Sequence, residues 1–267
     1  MTPSVSARLG ITGTGANDVW VVGTGWSDGA AVQHWDGVTW ASVDSRPVSD
    51  AQCAWTSPEG EVWIGTVSDA YRRVGTEWVE ARPCVGAVAA IGGTSKADVW
   101  VGGTQGLAHW NGTAWTEVAS NPVLSLWASA RDDVWVHFHS DELCHWNGTK
   151  LRCDYRVRSY EGGFWGSAPN DVWLASYGGA DHWDGVDWTW FGARGSTRNY
   201  ALWGSGSNDV YMVGEEGGVF HWDGVAWTPV AVDSVRCLLP ARRSVWGSGP
   251  DDVYIGSDSG AVLHLYR

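Results

Sequence analysis

Helix-period hydrophobicity is missing from this 267-residue sequence: nowhere do apolar residues recur at the spacing of a helix face, which argues against a helical architecture. No run is long and apolar enough for a membrane-spanning helix, so membrane insertion is not expected. Basic side chains are scarce, 17 Lys and Arg against 30 Asp and Glu. The resulting net charge of −13 argues against nonspecific binding to nucleic acid or anionic lipid. The five cysteines, Cys53, Cys84, Cys144, Cys153 and Cys237, are an odd number without the spacing of a metal motif. At most two disulfides and one free thiol can result, and single buried thiols are the expectation. The opening MTPSVSARLG lacks the apolar stretch of a signal peptide. It fits a cytoplasmic chain or the mature form of an exported one, a secreted or cell-surface location being the expectation.

What is present is repetition. Asp-Val-Trp or Asp-Val-Tyr recurs at Asp18, Asp98, Asp133, Asp171, Asp209 and Asp252, and Glu61-Val62-Trp63 fills the gap. Each is followed by a short Gly-rich or acidic stretch and then by His-Trp-Asp/Asn-Gly, at His34, His109, His145, His182 and His221. Arg72-Arg73-Val74-Gly75 is a degenerate second copy, and His264-Leu265 begins a seventh. A period near 38 with several short aromatic runs per unit marks a propeller-type array, in which each unit buries its faces only against its neighbours. Four strands, A to D, fit each unit. Strand A carries Trp-Gly-Ser, strand B Val-Trp and strand C His-Trp. Strand D opens with the Trp after an Asp-Gly or Asn-Gly turn, expected as a two-residue hairpin. The fold class is thus all-β, a seven-bladed β-propeller spanning residues 1–267 as one domain. The N-terminal segment Thr2–Arg8 is expected to complete the last blade and remove its open edge.

Twenty of the 22 tryptophans fall in four repeat slots, which makes them first a packing device. Only Trp26 and Trp190 lie off the pattern. The repeated Asp before strand B and His in strand C are read as a buried hydrogen-bond relay that sets blade geometry, because buried polar groups must be paired.

The runs DVWVGGTQGLAHWNGTAW from Asp98 and DVYMVGEEGGVFHWDGVAW from Asp209 resemble the units of bacterial seven-bladed propeller lectins of the PLL-like type. The likeness covers essentially the whole chain, and tectonin-like lectins are similar more weakly. The resemblance implies multivalent binding of fucose-like or O-methylated sugars, between blades or on the ring, with glycans or glycoconjugates as partners. A Trp or Tyr platform beside polar side chains suits a sugar's apolar C–H face and hydroxyl edge. The candidate sugar-binding residues are Trp26, Trp190, Tyr160, Tyr177, Tyr200, Arg194 and Arg198, in or near the D-to-A and B-to-C loops. Those loops share one end and mix Arg with carboxylates. They read either as a rim of cross-loop ion pairs or as a bidentate Arg site for an anionic group.

Blade four departs from the repeat with His137, His139, Glu142 and Cys144. A turn centred on Ser140-Asp141 sets Glu142 opposite His139 and Cys144 opposite His137, a candidate set for zinc or another transition metal. No other cofactor is expected. The competing readings are a protein-interaction scaffold and, behind it, a metal-dependent enzyme centred on blade four. No nucleophile–base–orienter pattern supports catalysis.

Overall fold

The computed structural model describes residues 6–24, 32–46, 48, 50–155, 157, 162–193, 195, 197–232 and 240–266. Seven antiparallel sheets follow one another along the chain, six of them meanders of strands A, B, C and D and the last a meander of A, B and C among the described residues. Blade one comprises Ser6–Gly15, Asp18–Thr24, Val32–Trp35 and Trp40–Ser42; blade two Ala51–Thr56, Val62–Thr66, Ala70–Val74 and Glu77–Glu80. Blade three is Val88–Ser95, Asp98–Gly103, Gly106–Trp110 and Trp115–Ala119; blade four Val123–Ala130, Asp133–Phe138, Leu143–Trp146 and Leu151–Tyr155. Blade five is Phe164–Ala168, Asp171–Ser176, Gly179–Trp183 and Trp188–Gly192; blade six Asn199–Gly206, Asp209–Gly214, Val219–Trp222 and Trp227–Pro229. Blade seven has three strands among the described residues, Arg242–Gly249, Asp252–Ser257 and Val262–Leu265. Each strand A packs beside the strand A of the next blade, and that of blade seven returns to blade one. The fold is the all-β seven-bladed propeller of the sequence reading. Of the expected closing segment Thr2–Arg8, Ser6–Arg8 opens strand A of blade one, and residues 2–5 lie outside the described residues.

The tryptophan slots account for the ring. Because side chains alternate along a strand, the aromatic of strand B and the Trp of strand C project to opposite faces of their blade. The strand-B aromatic of one blade then enters the space between the strand-C and strand-D tryptophans of the next. Trp135 of blade four meets Trp183 and Trp188 of blade five at ring-centre distances of 5.1 and 5.0 Å. Trp173 meets Trp222 and Trp227 of blade six at 4.9 and 5.3 Å. Tyr254 of blade seven clusters with Trp35 and Trp40 of blade one, closing the circle. Burying one such ring removes roughly 150–250 Å² from water, worth about 4–6 kcal/mol before entropy. In blade two Arg73 replaces the strand-C Trp, its guanidinium 4.8 Å from the ring centre of Trp20 and 5.5 Å from that of Trp78.

Strand-A tryptophans use a different device. The ring of Trp165 lies over Gly204 of the next blade, where a Cβ would come within 2.8 Å of it. Glycine permits this close approach.

The strand C-to-D turns differ from the two-residue hairpin expected. Trp35 pairs with Trp40, leaving the four-residue loop Asp36-Gly37-Val38-Thr39. The Asp36 carboxylate accepts the backbone N–H groups of Val38 and Thr39 at 2.8 and 2.7 Å, and Gly37 takes φ 92°. The Asp or Asn is therefore retained as a local cap, and positive φ falls on the glycine.

Candidate functional site

Six Asp–His pairs recur as expected, with His Nε2 2.5 to 2.8 Å from Asp Oδ1. The second carboxylate oxygen accepts a hydroxyl four residues upstream, from Thr14, Thr94, Ser129, Ser167, Ser205 or Ser248. Each His ring also lies against the strand-B aromatic, as His109 on Trp100 at 4.3 Å. Burial pushes the Asp98, Asp133 and Asp171 carboxyls up. Hydrogen bonds from the imidazole and the hydroxyl outweigh burial and leave all three below the ordinary carboxylate value. In blade two Glu61 and Arg72 stand in for the pair, 3.7 Å apart. The hydroxyl donates to Asp rather than to His, so no nucleophile–base couple is formed. These groups hold the blades.

Two clefts of one design open between neighbouring blades. The first, about 670 Å³, lies between blades three and four. Trp146 and the Asn147-Gly148-Thr149 turn of blade four form one wall, with Arg131 and Asp132 beside them; His109 and Asn111 of blade three form the other. Arg131 spans the seam, donating through Nη2 to the Ala97 carbonyl at 3.1 Å and lying 3.6 Å from Asp98. The second cleft, about 530 Å³, lies between blades four and five. Trp183 and the Gly185-Val186-Asp187 turn of blade five face Arg152, Asp154 and Tyr155 of blade four. Tyr155 meets Trp183 edge-on at 5.6 Å. Arg152 donates to Asp154 at 2.8 Å and holds that carboxyl below its usual value. Each cleft thus has a strand-C Trp, the turn that follows it, and polar side chains from the preceding blade. A third hollow, about 280 Å³, lies between blades two and three, lined by Arg82, Cys84, Gln105 and Glu117 among others.

Of the candidate sugar residues read from sequence, the four that are described, Trp190, Tyr177, Tyr200 and Arg198, do not line these clefts. Trp26, Tyr160 and Arg194 lie outside the described residues. Tyr177 and Trp190 are 47% and 38% exposed and share the loop end of blade five, with the Trp190 ring over Gly192 and reaching toward Gly178. Tyr200 donates its hydroxyl to Glu215 at 3.0 Å and lies under the Arg243 guanidinium at 3.9 Å. The backbone N–H of Arg198 joins that group through Glu215 at 3.2 Å. Arg243 also donates to Asp258 at 3.0 Å, a cross-loop pair of the kind expected at this rim. Arg46–Asp44, Arg82–Glu80 and Arg152–Asp154 are instead local pairs two residues apart. The cleft residues escaped sequence reading because Trp146 and Trp183 occupy repeat slots. The available signal was Arg131, in an A-to-B turn where blades one, five and six place no basic residue.

The blade-four quartet does not assemble. Phe138 N–H donates to the Glu142 carbonyl and Asp141 takes φ 59°, so the turn is His139-Ser140-Asp141, one residue longer than expected. A one-residue slip reverses every facing: His137 pairs with Leu143, and Cys144 with Val136. Cys144 is disulfide-bonded to Cys153, contrary to the expected single thiols, and has no free thiolate for a metal. Glu142 accepts the Ser140 hydroxyl, and His139 is exposed. Among the described residues no group of three His, Cys, Asp or Glu is placed to hold a metal ion. His137 is fully buried, and neither ring nitrogen has a hydrogen-bond partner among the described residues. Cys53 is a single thiol as expected, though half-buried, and burial pushes it up to about 12; Cys84 is free and exposed, contrary to the expectation.

No family model matches the sequence, and no curated protein matches it. Solved structures do. YCF48 bound to D1 peptide is similar at 14% identity with a TM-score of 0.76, over 100% of this chain and 94% of that one. The WD40 beta propeller domain of Doa1 is similar at 12% identity and 0.74, over 100% and 95%. Virginiamycin B lyase from Staphylococcus aureus is similar at 13% identity and 0.69, over 98% and 95%. At these identities the likeness establishes the propeller and lends no support to the lectin resemblance.

Proposed function

We propose that this chain is a multivalent glycan-binding propeller that holds sugars in the clefts between blades. The observation that carries the reading is the repeated design of the two clefts, each with a strand-C Trp edged by amide, carboxylate or guanidinium groups. A pyranose offers an apolar C–H face to the Trp, while its hydroxyls bond the polar edge. Clefts that bind weakly alone gain from a dense glycan surface, because the second contact becomes intramolecular. With the Asp–His pairs committed to blade geometry, binding rather than bond-making is what the clefts can do.

A glycan-array screen of the purified chain, with and without EDTA, tests this. Dose-dependent binding indifferent to EDTA is expected. A blank array on folded protein overturns it and favours the second reading, a peptide-binding propeller. That alternative draws on the exposed Tyr177 and Trp190 at the other end and on the peptide-bound neighbour.

A further inference from the structure

We propose that the Cys144–Cys153 disulfide is a reducible clasp on the cleft between blades four and five, so that a dithiol reductant loosens this cleft and leaves the one between blades three and four intact. The consequence for sugar binding rests on the glycan reading above; the loosening of the cleft wall does not.

Cys153 sits on strand D of blade four between Arg152 and Asp154, both of which line the second cleft. Its partner Cys144 is fully buried in strand C of the same blade. The disulfide therefore ties the cleft wall to the blade core. The strand's other attachments are at its two ends, Leu151 against the core cluster that contains Cys144 and Tyr155 edge-on to Trp135 at 4.8 Å, and the middle of the strand has only its ladder. In blades one, two, three, five and six strand D carries a Trp at or near its start, at Trp40, Trp78, Trp115, Trp188 and Trp227; blade four has Leu151. Arg152, Cys153 and Asp154 are all exposed. The ladder is irregular here, since Leu143 pairs with Tyr155 and His145 with Arg152, leaving one extra residue on strand D. That surplus residue loses its ladder position. The Arg152–Asp154 ion pair lies within the strand and ties it to nothing else. Blade four thus lacks the Trp near the start of strand D and has a covalent tie at the strand's middle instead, and that tie can be undone by reduction.

The chemistry balances with a dithiol as reductant. Its thiolate attacks Cys153 Sγ, the exposed side of the bond, forming a mixed disulfide and expelling Cys144 as a thiolate that takes up a proton. The second thiol of the reductant then closes on the mixed disulfide and releases Cys153 as a thiol. Two electrons and two protons pass to the protein, and the reductant leaves as a cyclic disulfide.

Hydrogen exchange on the full chain, before and after dithiothreitol, with alkylation confirming that Cys144 and Cys153 are both free, tests the clasp. Exchange in Leu151–Tyr155 is expected to rise about tenfold or more on reduction, while strand D of blade five, Trp188–Gly192, stays as it was. The paired substitution Cys144→Val with Cys153→Ser should raise it without reductant. Unchanged exchange in the reduced wild type overturns the proposal. So does acceleration in both strands, which would make the bond a general staple. For a glycan that the array identifies, reduction should remove the site between blades four and five and spare the other. If no glycan binds the oxidised protein, the glycan reading falls and the exchange result still decides the clasp.

Discussion

Replacing Asp98 by Ala should be among the costliest single changes to this propeller. The Asp98 side chain is 4% exposed, 2.6 Å from His109 Nε2, and accepts the Thr94 hydroxyl at 2.5 Å. Hydrogen bonds to a charged group contribute about 1.5–3 kcal/mol each, and removing one member of a buried pair costs about 3–5 kcal/mol. The loss of two such bonds, with His109 left facing a void, therefore sets the expected destabilisation at about 3–5 kcal/mol. Against a typical total of about 5–15 kcal/mol this moves a urea midpoint far outside error. Asp44→Ala, which removes only the exposed pair with Arg46, should leave the midpoint where it is. The pH dependence gives a second reading of the same group. Burial raises the Asp98 carboxyl, but the bonds from His109 and Thr94 and the nearby charges of His109 and Arg131 hold it below its ordinary 3.8. A depressed carboxyl contributes stability that is fully present above the unfolded value and is lost as pH falls through the folded one. Wild type should thus lose stability from about pH 4 downward, and Asp98→Asn should show a shallower acid limb. An Asp98→Ala protein within about 1 kcal/mol of wild type would refute the claim that these pairs hold the blades.

Trp173→Ala, which vacates the slot between Trp222 and Trp227, should cost about 3–5 kcal/mol, whereas Trp190→Ala should cost less than about 1. Equal melting losses would defeat the division between packing and surface tryptophans. His137 is held below its ordinary value by burial and by His139, against the pull of Asp141. Its contribution is complete above the unfolded value near 6.5 and falls away as pH drops toward the folded one, so His137→Leu should flatten stability over that window. Denaturation curves that keep the same slope in both proteins would count against it. Gly204→Ala places a methyl 2.8 Å from the Trp165 ring and should cost about 1–3 kcal/mol in thermal or urea unfolding.

The repeat phrase carried the fold because each of its residues has one job in every blade. Asp, His and the strand-B aromatic meet on one face, and the strand-C and strand-D tryptophans meet the preceding blade on the other. Even the degenerate second unit keeps this logic, with Glu61, Arg72 and Arg73 changing together. The clefts were not legible because they belong to pairs of blades. Trp146 and Trp183 sit in the same slot as Trp222, which is buried, and their neighbours across the seam decide the difference. Blade four misled through turn length. One added residue, with Asp141 at positive φ, turns Cys144 away from His137. The Cys144–Cys153 bond was equally hidden, since it depends on an irregularity in strand D that no spacing announces.

Equilibrium titration of the array's best glycan into wild type, Arg131→Ala and Asp187→Ala tests the central claim most directly. Both side chains are exposed and each lines a different cleft. The account predicts at least two weak sites per chain, one lost in each variant while the chain stays folded. A single site that survives both substitutions, or one abolished by Trp190→Ala, would place recognition at the other end and contradict the inter-blade account.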